Sequence, residues 1–347
     1  MANPDKAKAK ALPRIIEQTL DSFVLHRWIV TLILIVLYFI VFSILFPRSF
    51  ASAYNFSNMA LEFAIPLSFV TISMALILIS GEIDLSVGYV IMFANMLAGY
   101  LVVKGLPLFL CIILPIIASA LIGYIVGLLV ARVGINSFIA TLGSGMVFYG
   151  MGLNIFEVCR KIEGGSAIQH LPDWFIKIGQ IKLVTFKDTG AIQLPVLYAA
   201  ILILIAVIIS SKFRIFRKYY YIGNNKEAAS LSGINVKSLK ALSFMISSAL
   251  AGTAGVLMCA RMGAAVVRVG IGFELQAITA CIIGGLSFKG GKGTIGGAIL
   301  GGIFMICLSN GLRIAYAPSQ IYNLIQGLVL LLAVIVDAGM SRRRVIG

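Results

Sequence analysis

Apolar residues run along this chain in blocks of membrane-spanning length, separated by short polar or basic breaks. The blocks fall at 28–46, 59–80, 85–103, 106–130, 136–153, 192–210, 241–260, 272–288, 294–311 and 320–337. A helix needs about 20 residues to cross a hydrocarbon core of ~30 Å. Helices that are apolar all round need lipid or a very large protein around them. The pattern therefore predicts an all-α polytopic membrane protein with about ten transmembrane helices. Residues 1–27 are polar and Lys/Ala-rich, and a single transmembrane domain is expected over 28–340. Two longer connections interrupt it, at 154–191 and 211–240.

Composition leaves no room for a separate soluble domain: 60% of the 347 residues are hydrophobic and 12% are charged. The net charge of +15 reflects topology rather than nucleic acid, because there is no basic stripe interleaved with aromatics on a soluble face. With both termini inside, the cytoplasmic face collects most of the basic residues, among them Arg27, Arg132, Arg214, Arg217, Lys237, Lys240, Lys289, Lys292 and Arg342. Basic residues close to span ends set orientation, and long translocated loops escape the rule. Loop 154–191 is then external and loop 211–240 cytoplasmic. In the external loop, residues 171–176 read as a helix start that lies on the membrane surface. The first span is expected to be retained, being too long for a signal peptide and lacking a small-residue cleavage site.

Candidate chemistry is sparse. The five cysteines form no C-x-x-C and no framework, and His26 and His170 fall on opposite sides of the membrane, so no disulfide scaffold or metal site is indicated. No Ser/His/Asp or Cys/His set suggests catalysis, and this chain is expected to bind no cofactor. The run Gly290-Gly291-Lys292-Gly293-Thr294 fails as a phosphate loop. Glycine follows the lysine, Leu286 stands where the first glycine belongs, and helices flank it.

Three features remain. Gly81, Glu82, Ile83, Asp84, Leu85, Ser86, Val87 and Gly88 place two carboxylates between apolar helices, where charge is costly and usually serves the interior. Asp84 reads either as a simple helix cap over Ser86 or Val87, or as part of a turn that packs on a partner or lines a pathway. Asn225, Lys226, Glu227, Ala228, Ala229, Ser230, Leu231, Ser232 and Gly233 read as a capped two-turn helix outside the membrane, either an ordinary loop helix or a docking element. Among polar residues inside spans, Asn95, Thr141, Ser144 and Gln276 are candidates to line a solute pathway, the alternative being interhelical hydrogen bonds. Only Glu62 is an acid well inside a run, which argues against a proton-coupled carrier. Spans two to five and seven to ten form two four-helix units, and related Gly/acid segments precede their second spans on opposite sides. An inverted repeat gives this arrangement.

These motifs, with Phe138-Ile139-Ala140-Thr141-Leu142-Gly143 and Gly272-Phe273-Glu274-Leu275, resemble the permease subunits of ribose-type sugar ABC importers over about residues 55–340. Xylose, arabinose, galactose and autoinducer-2 permeases belong to the same group. Nucleoside and branched-chain amino acid permeases are more distant relatives. The resemblance implies ten spans in a bacterial inner membrane and a permease dimer. It also implies a cytoplasmic ATPase that binds ATP and Mg, and an extracytoplasmic solute-binding protein. The family's coupling helix falls on Asn225 to Gly233. This chain departs from the usual pattern in having Glu82 where the family generally has glycine, and Gln276 where it has an acid. The expected function is permeation of a sugar or sugar-like solute. The alternatives are a nucleoside or other small polar solute, or, in a different class, a stand-alone secondary carrier.

Overall fold

A computed structural model describes residues 27–163, 167–186 and 190–346; the expected N-terminal segment lies almost wholly outside them. Eight helices among these residues are long and apolar enough to cross a membrane. They are α1 (Arg27–Leu45), α2 (Ala53–Ile79), α4 (Leu108–Val133), α5 (Ser137–Glu163), α7 (Leu194–Lys212), α10 (Val236–Met262), α12 (Ile295–Ile314) and α13 (Ser319–Ile346). Between them lie α3 (Val87–Val103), α6 (Asp173–Gln180), α8 (Arg214–Asn224), α9 (Lys226–Leu231) and α11 (Phe273–Ile283). The strands among the described residues are short: β1 (Ala167–Ile168) pairs antiparallel with β4 (Ala265–Val266), and β2 (Lys182–Thr185) with β3 (Ala191–Gln193). The strands mark one end of the bundle, the hairpin end; α8 and α9 mark the other, the basic end.

Polar residues start the helices where the apolar blocks begin. The Ser52 hydroxyl accepts from Asn55 N at 3.1 Å, Asn235 from Ser238 N at 3.0 Å, and Thr294 from Gly297 N at 3.0 Å. Each takes up an amide that has no partner within its helix. Several helices overrun the apolar blocks. The fifth runs on to Glu163 because Ile155, Phe156 and Val158 continue the apolar pattern, so part of the expected external loop 154–191 is helical. The surface helix expected near 171–176 is α6, which buries Phe175 and leaves Trp174 exposed.

Two of the ten expected spans differ in kind. The third is a helix of 17 residues, and the eighth, expected over 272–288, is a helix of only 11, roughly 16 Å long at 1.5 Å per residue. Both follow a non-helical lead-in, 80–86 before α3 and 263–272 before α11, and the eighth also stops at Ile283, short of its expected end at 288. The lead-ins enter from opposite ends of the bundle. Their helices meet: a side chain at Gly88 would strike the Glu274 carboxylate and the Gly270 carbonyl oxygen. Each four-helix unit thus has the order long helix, lead-in, short helix, long helix, long helix, with inverted polarity. This is the discontinuous-helix arrangement of an inverted repeat.

Helix α10 is the centre of the packing. It lies against α4, α3 and α2, while α11 and α12 pack together beside α2. The faces of α1, α7 and α13 that point away from this centre are apolar and exposed, as lipid-facing helices must be. Where α11 and α12 cross, the approach is close enough that a Cβ at Gly301 would run into the Ala280 carbonyl oxygen. Gly301→Ala should lower stability by about 1–3 kcal/mol through forced backbone separation. Gly296→Ala, which meets nothing within 4 Å, should be neutral or stabilising by up to ~1 kcal/mol. Thermal unfolding of the two variants in detergent checks this; equal midpoints would show that the crossing is not closely packed.

Candidate coupling and translocation sites

At the basic end, α8 and α9 form a compact helical pair. Helix α8 buries Phe216, Tyr219 and Ile222. Tyr220 donates its hydroxyl to the Gly293 carbonyl at 2.9 Å, and Asn224 donates to the Gly291 carbonyl at 3.4 Å. Burial raises the Tyr220 phenol, so it stays a neutral donor. Gly291 N in turn donates to the Ile79 carbonyl at 3.0 Å. Gly290, Gly291 and Gly293 all have positive φ. The glycine run is therefore the tight inter-helix turn that its sequence allows, and it clamps α8 to the end of α2.

Asn225 begins α9 by accepting from the amides of Glu227 and Ala228, each at 3.0 Å, and Gly233 follows its end at φ +78°. Ala229 is buried against the bundle. Lys226, Glu227, Ala228, Ser230, Ser232 and Gly233 are exposed, and Leu231 is 91% exposed. Leu231 thus stands at the tip of a capped, anchored helix with its apolar surface uncovered by the described residues. Beside it a groove of about 660 Å³ runs from Lys226 and Glu227 past Lys237 and Lys240 to Glu82 and Ser137.

That groove ends at the acidic turn. Glu82 pairs with Lys240 of α10, both side chains being largely buried; the first carboxylate of the motif is thereby neutralised. Asp84 is fully buried. It accepts from Ser86 N at 2.9 Å and Ser86 Oγ at 2.6 Å with one oxygen, and from Ser247 Oγ of α10 at 2.7 Å with the other. It sits two residues before the helix cap, Ser86, so it fastens the lead-in to α10 as well as turning the chain. Ile83 N donates to Ser137 Oγ at 3.3 Å and Leu85 N to Thr141 Oγ1 at 3.0 Å. The second lead-in is held in the same way: Val266 N donates to Asn95 Oδ1 at 2.9 Å, and Gly272 N to the Glu274 carboxylate at 3.0 and 3.1 Å. Asn95 also donates to the Gly255 carbonyl at 3.3 Å.

The four residues expected along a pathway do not gather in one place. Asn95 and Thr141 are fully enclosed in the protomer and committed to the lead-ins. Ser144 is half-buried and donates to the Thr141 carbonyl at 3.1 Å. Gln276 alone of the four lines a described cavity, of about 590 Å³, between α2, α10, α11, α12 and α13 towards the hairpin end. Its amide donates to Tyr322 Oη at 2.7 Å. Glu62 lines the same cavity and is held by Arg313 in a two-pronged ion pair. The same pair also borders a second, more polar cavity of about 410 Å³ with Asn55, Asn58 and Asn310. Arg261, Arg313 and Tyr322 were missed by the sequence reading. They stand at helix ends, where a basic or aromatic residue looks like an interfacial anchor. The signal that could have singled out Arg261 and Arg313 is that both fall on the side that should be poor in basic charge.

Two half-helices meeting inside a bundle, with an anchored helix projecting from one end, define a polytopic transport permease. The chain belongs to the family described as the permease component of the branched-chain amino acid transport system, whose model matches residues 56–334. It is 32% identical over 305 residues to the D-allose transport system permease protein AlsC of Escherichia coli (strain K12), covering 87% of this chain and 89% of that protein. It is 30% identical over 356 residues to the xylose transport system permease protein XylH of Haemophilus influenzae, with 87% and 93% covered. It is also 30% identical over 275 residues to the ribose import permease protein RbsC of the same organism, with 79% and 82% covered. No solved structure matches the chain. The resemblance read from the motifs therefore holds, and the chain is a transport subunit rather than an enzyme.

Thr141→Val keeps shape but leaves the part-buried Leu85 amide without its acceptor, which costs about 1 kcal/mol. Thr141→Ser should behave like the parent. Thermal unfolding of the purified protein separates them, and a Val variant as stable as the Ser variant would mean that the lead-in does not depend on this bond.

Proposed function

We propose that this protein is the membrane-spanning subunit of an ATP-driven importer for a monosaccharide-class sugar. The observation that carries the reading is α9: a capped, anchored helix with an exposed leucine, continuous through a short turn with the central helix α10. An ATPase that closes on binding ATP and Mg can push such a helix, and α10 relays the push to Glu82 and Asp84. The chain binds no nucleotide or metal of its own in this scheme. The similarity to permeases named for D-allose, xylose and ribose supports a sugar as the solute.

The working unit comprises two permease copies, a cytoplasmic ATPase and an extracytoplasmic solute-binding protein in a bacterial inner membrane. The basic end faces the cytoplasm, where basic residues near span ends are favoured; the hairpin end faces outward, and both termini are inside. Residues Asn225 to Gly233 form the coupling element, with Leu231 seated in a groove of the ATPase. The acidic turn, Gly81 to Gly88, is the element that α10 moves. Gln276 lines the solute route, and Asn95, Thr141 and Ser144 shape the walls behind it.

Two experiments test this. Leu231→Arg should leave the permease folded, because Leu231 touches little of its own chain. ATPase association should weaken roughly 30-fold, as for loss of an interface hot spot, and ATPase stimulation by the loaded binding protein should fall with it. Full stimulation would rule out α9 as the coupling element. Ala229→Arg, by contrast, should unseat α9 from the bundle. For orientation, Lys182→Cys and Lys237→Cys in a cysteine-free background should react with an impermeant thiol reagent from opposite sides; reaction from the same side overturns the topology.

A further inference from the structure

The 590 Å³ cavity falls within the usual 300–1,000 Å³ of small-molecule sites, and its mostly apolar wall with a few polar points has the usual character of such sites. Its hydrogen bonds have a direction. The Ser309 hydroxyl lies 2.9 Å from the Met305 carbonyl and 3.1 Å from Tyr322 Oη. A hydroxyl carries one proton, and the carbonyl can only accept. Ser309 therefore donates to Met305, Tyr322 donates to Ser309, and Tyr322 accepts from Gln276. Among the described residues, the chain of bonds leaves the Gln276 carbonyl oxygen and one of its amide hydrogens uncommitted.

Arg261 reaches the same cavity from the end of α10. One of its nitrogens donates to the Ile65 carbonyl at 3.1 Å, where α2 departs from helical geometry. No carboxylate among the described residues forms an ion pair with it, because Glu62 is taken up by Arg313. A guanidinium has five N–H donors, so several remain for something in the cavity. Two neighbouring polar groups, one offering both an acceptor and a donor and the other only donors, match the vicinal hydroxyls of a sugar ring. The Tyr322 ring beside them offers an apolar face for the ring's C–H groups.

We propose that each permease copy holds one monosaccharide in this cavity, with Gln276 and Arg261 as its hydrogen-bonding ligands. The inference rests on the reading of the chain as a sugar permease. It assigns the solute a stopping place inside each protomer rather than only between two copies. Hydrogen bonds that water can replace hold the solute weakly enough to release it. Because Arg261 and the Lys240–Glu82 contact share helix α10, occupancy at one end and ATPase movement at the other act on the same rigid element.

The test uses the assembled permease–ATPase complex, cysteine-free, in right-side-out vesicles. Leu312→Cys, on the cavity wall, should react with an impermeant, charged thiol reagent. Leu324→Cys, on the exposed apolar face of α13, should not. D-allose, D-xylose and D-ribose are the probes, each at millimolar concentration. At least one should slow the reaction at Leu312→Cys by about tenfold, as when about nine-tenths of the sites are filled. Adding Gln276→Leu should remove that protection, each variant being compared with its own rate in the absence of sugar. Arg261→Gln, which keeps a donor for the Ile65 carbonyl, should do the same. No reaction at Leu312→Cys would mean that lipid or a second copy fills the cavity, and overturns the site. So would protection by none of the sugars, or protection that survives both substitutions. Protection without uptake of any probe would leave the site standing and overturn the sugar-permease reading instead.

Discussion

Backbone amides that leave a helix in a dry interior must find another acceptor, and this requirement governs the centre of the molecule. Each unsatisfied group in hydrocarbon costs several kcal/mol. The two lead-ins, 80–86 and 263–272, are the places where the chain takes on that liability. Ser137, Thr141, Asp84, Asn95 and Glu274 are the side chains that relieve it. Most of the irregular backbone is therefore enclosed in protein, where such backbone is tolerated, with Gly81, Arg268 and Ile271 exposed at its margins. Because Ser137 and Thr141 belong to α5 and Asn95 to α3, the requirement also sets which helices must be adjacent: α5 beside the first lead-in, α3 beside the second.

Helix α10 ties these contacts into one body. Starting from the Asn235 cap next to α9, it carries Lys240 against Glu82, Ser247 against Asp84, Gly255 against Asn95 and Arg261 against the break in α2. It runs for 27 residues, about 40 Å at the helical rise, with helical backbone throughout. Any axial or tilting movement of α10 must carry all of these contacts or break them. Breaking them exposes a buried carboxylate or an orphaned amide, which is the costlier course. The polar groups around α10 thus couple the basic end of the bundle to the cavity at the hairpin end.

Charge is arranged to the same effect. The extra acid of the motif, Glu82, is neutralised by Lys240, and Glu62 by Arg313. What remains around the large cavity is a neutral amide and a guanidinium rather than a line of acids. An environment of this kind suits a neutral, hydroxyl-rich solute better than a proton or metal ion.

The class, the ten apolar stretches, the capped helix α9 and the acidic turn were all legible in the sequence. All of these depend on local information: the length of apolar runs, the cap residues Asn225 and Gly233, and carboxylates set between two spans. The family followed from motifs that are equally local. Tertiary structure alone decided that the third and eighth runs are short helices behind extended lead-ins, because an apolar residue looks the same in a buried extended strand as in a helix. It also decided the employment of the polar residues inside the spans. Asn95, Thr141 and Gln276 are alike as isolated polar positions; what separates them is that two face orphaned amides across a helix contact and the third faces open space. Partners such as Arg313 for Glu62 and Lys240 for Glu82 lie 251 and 158 residues away in sequence, a pairing that no local pattern records.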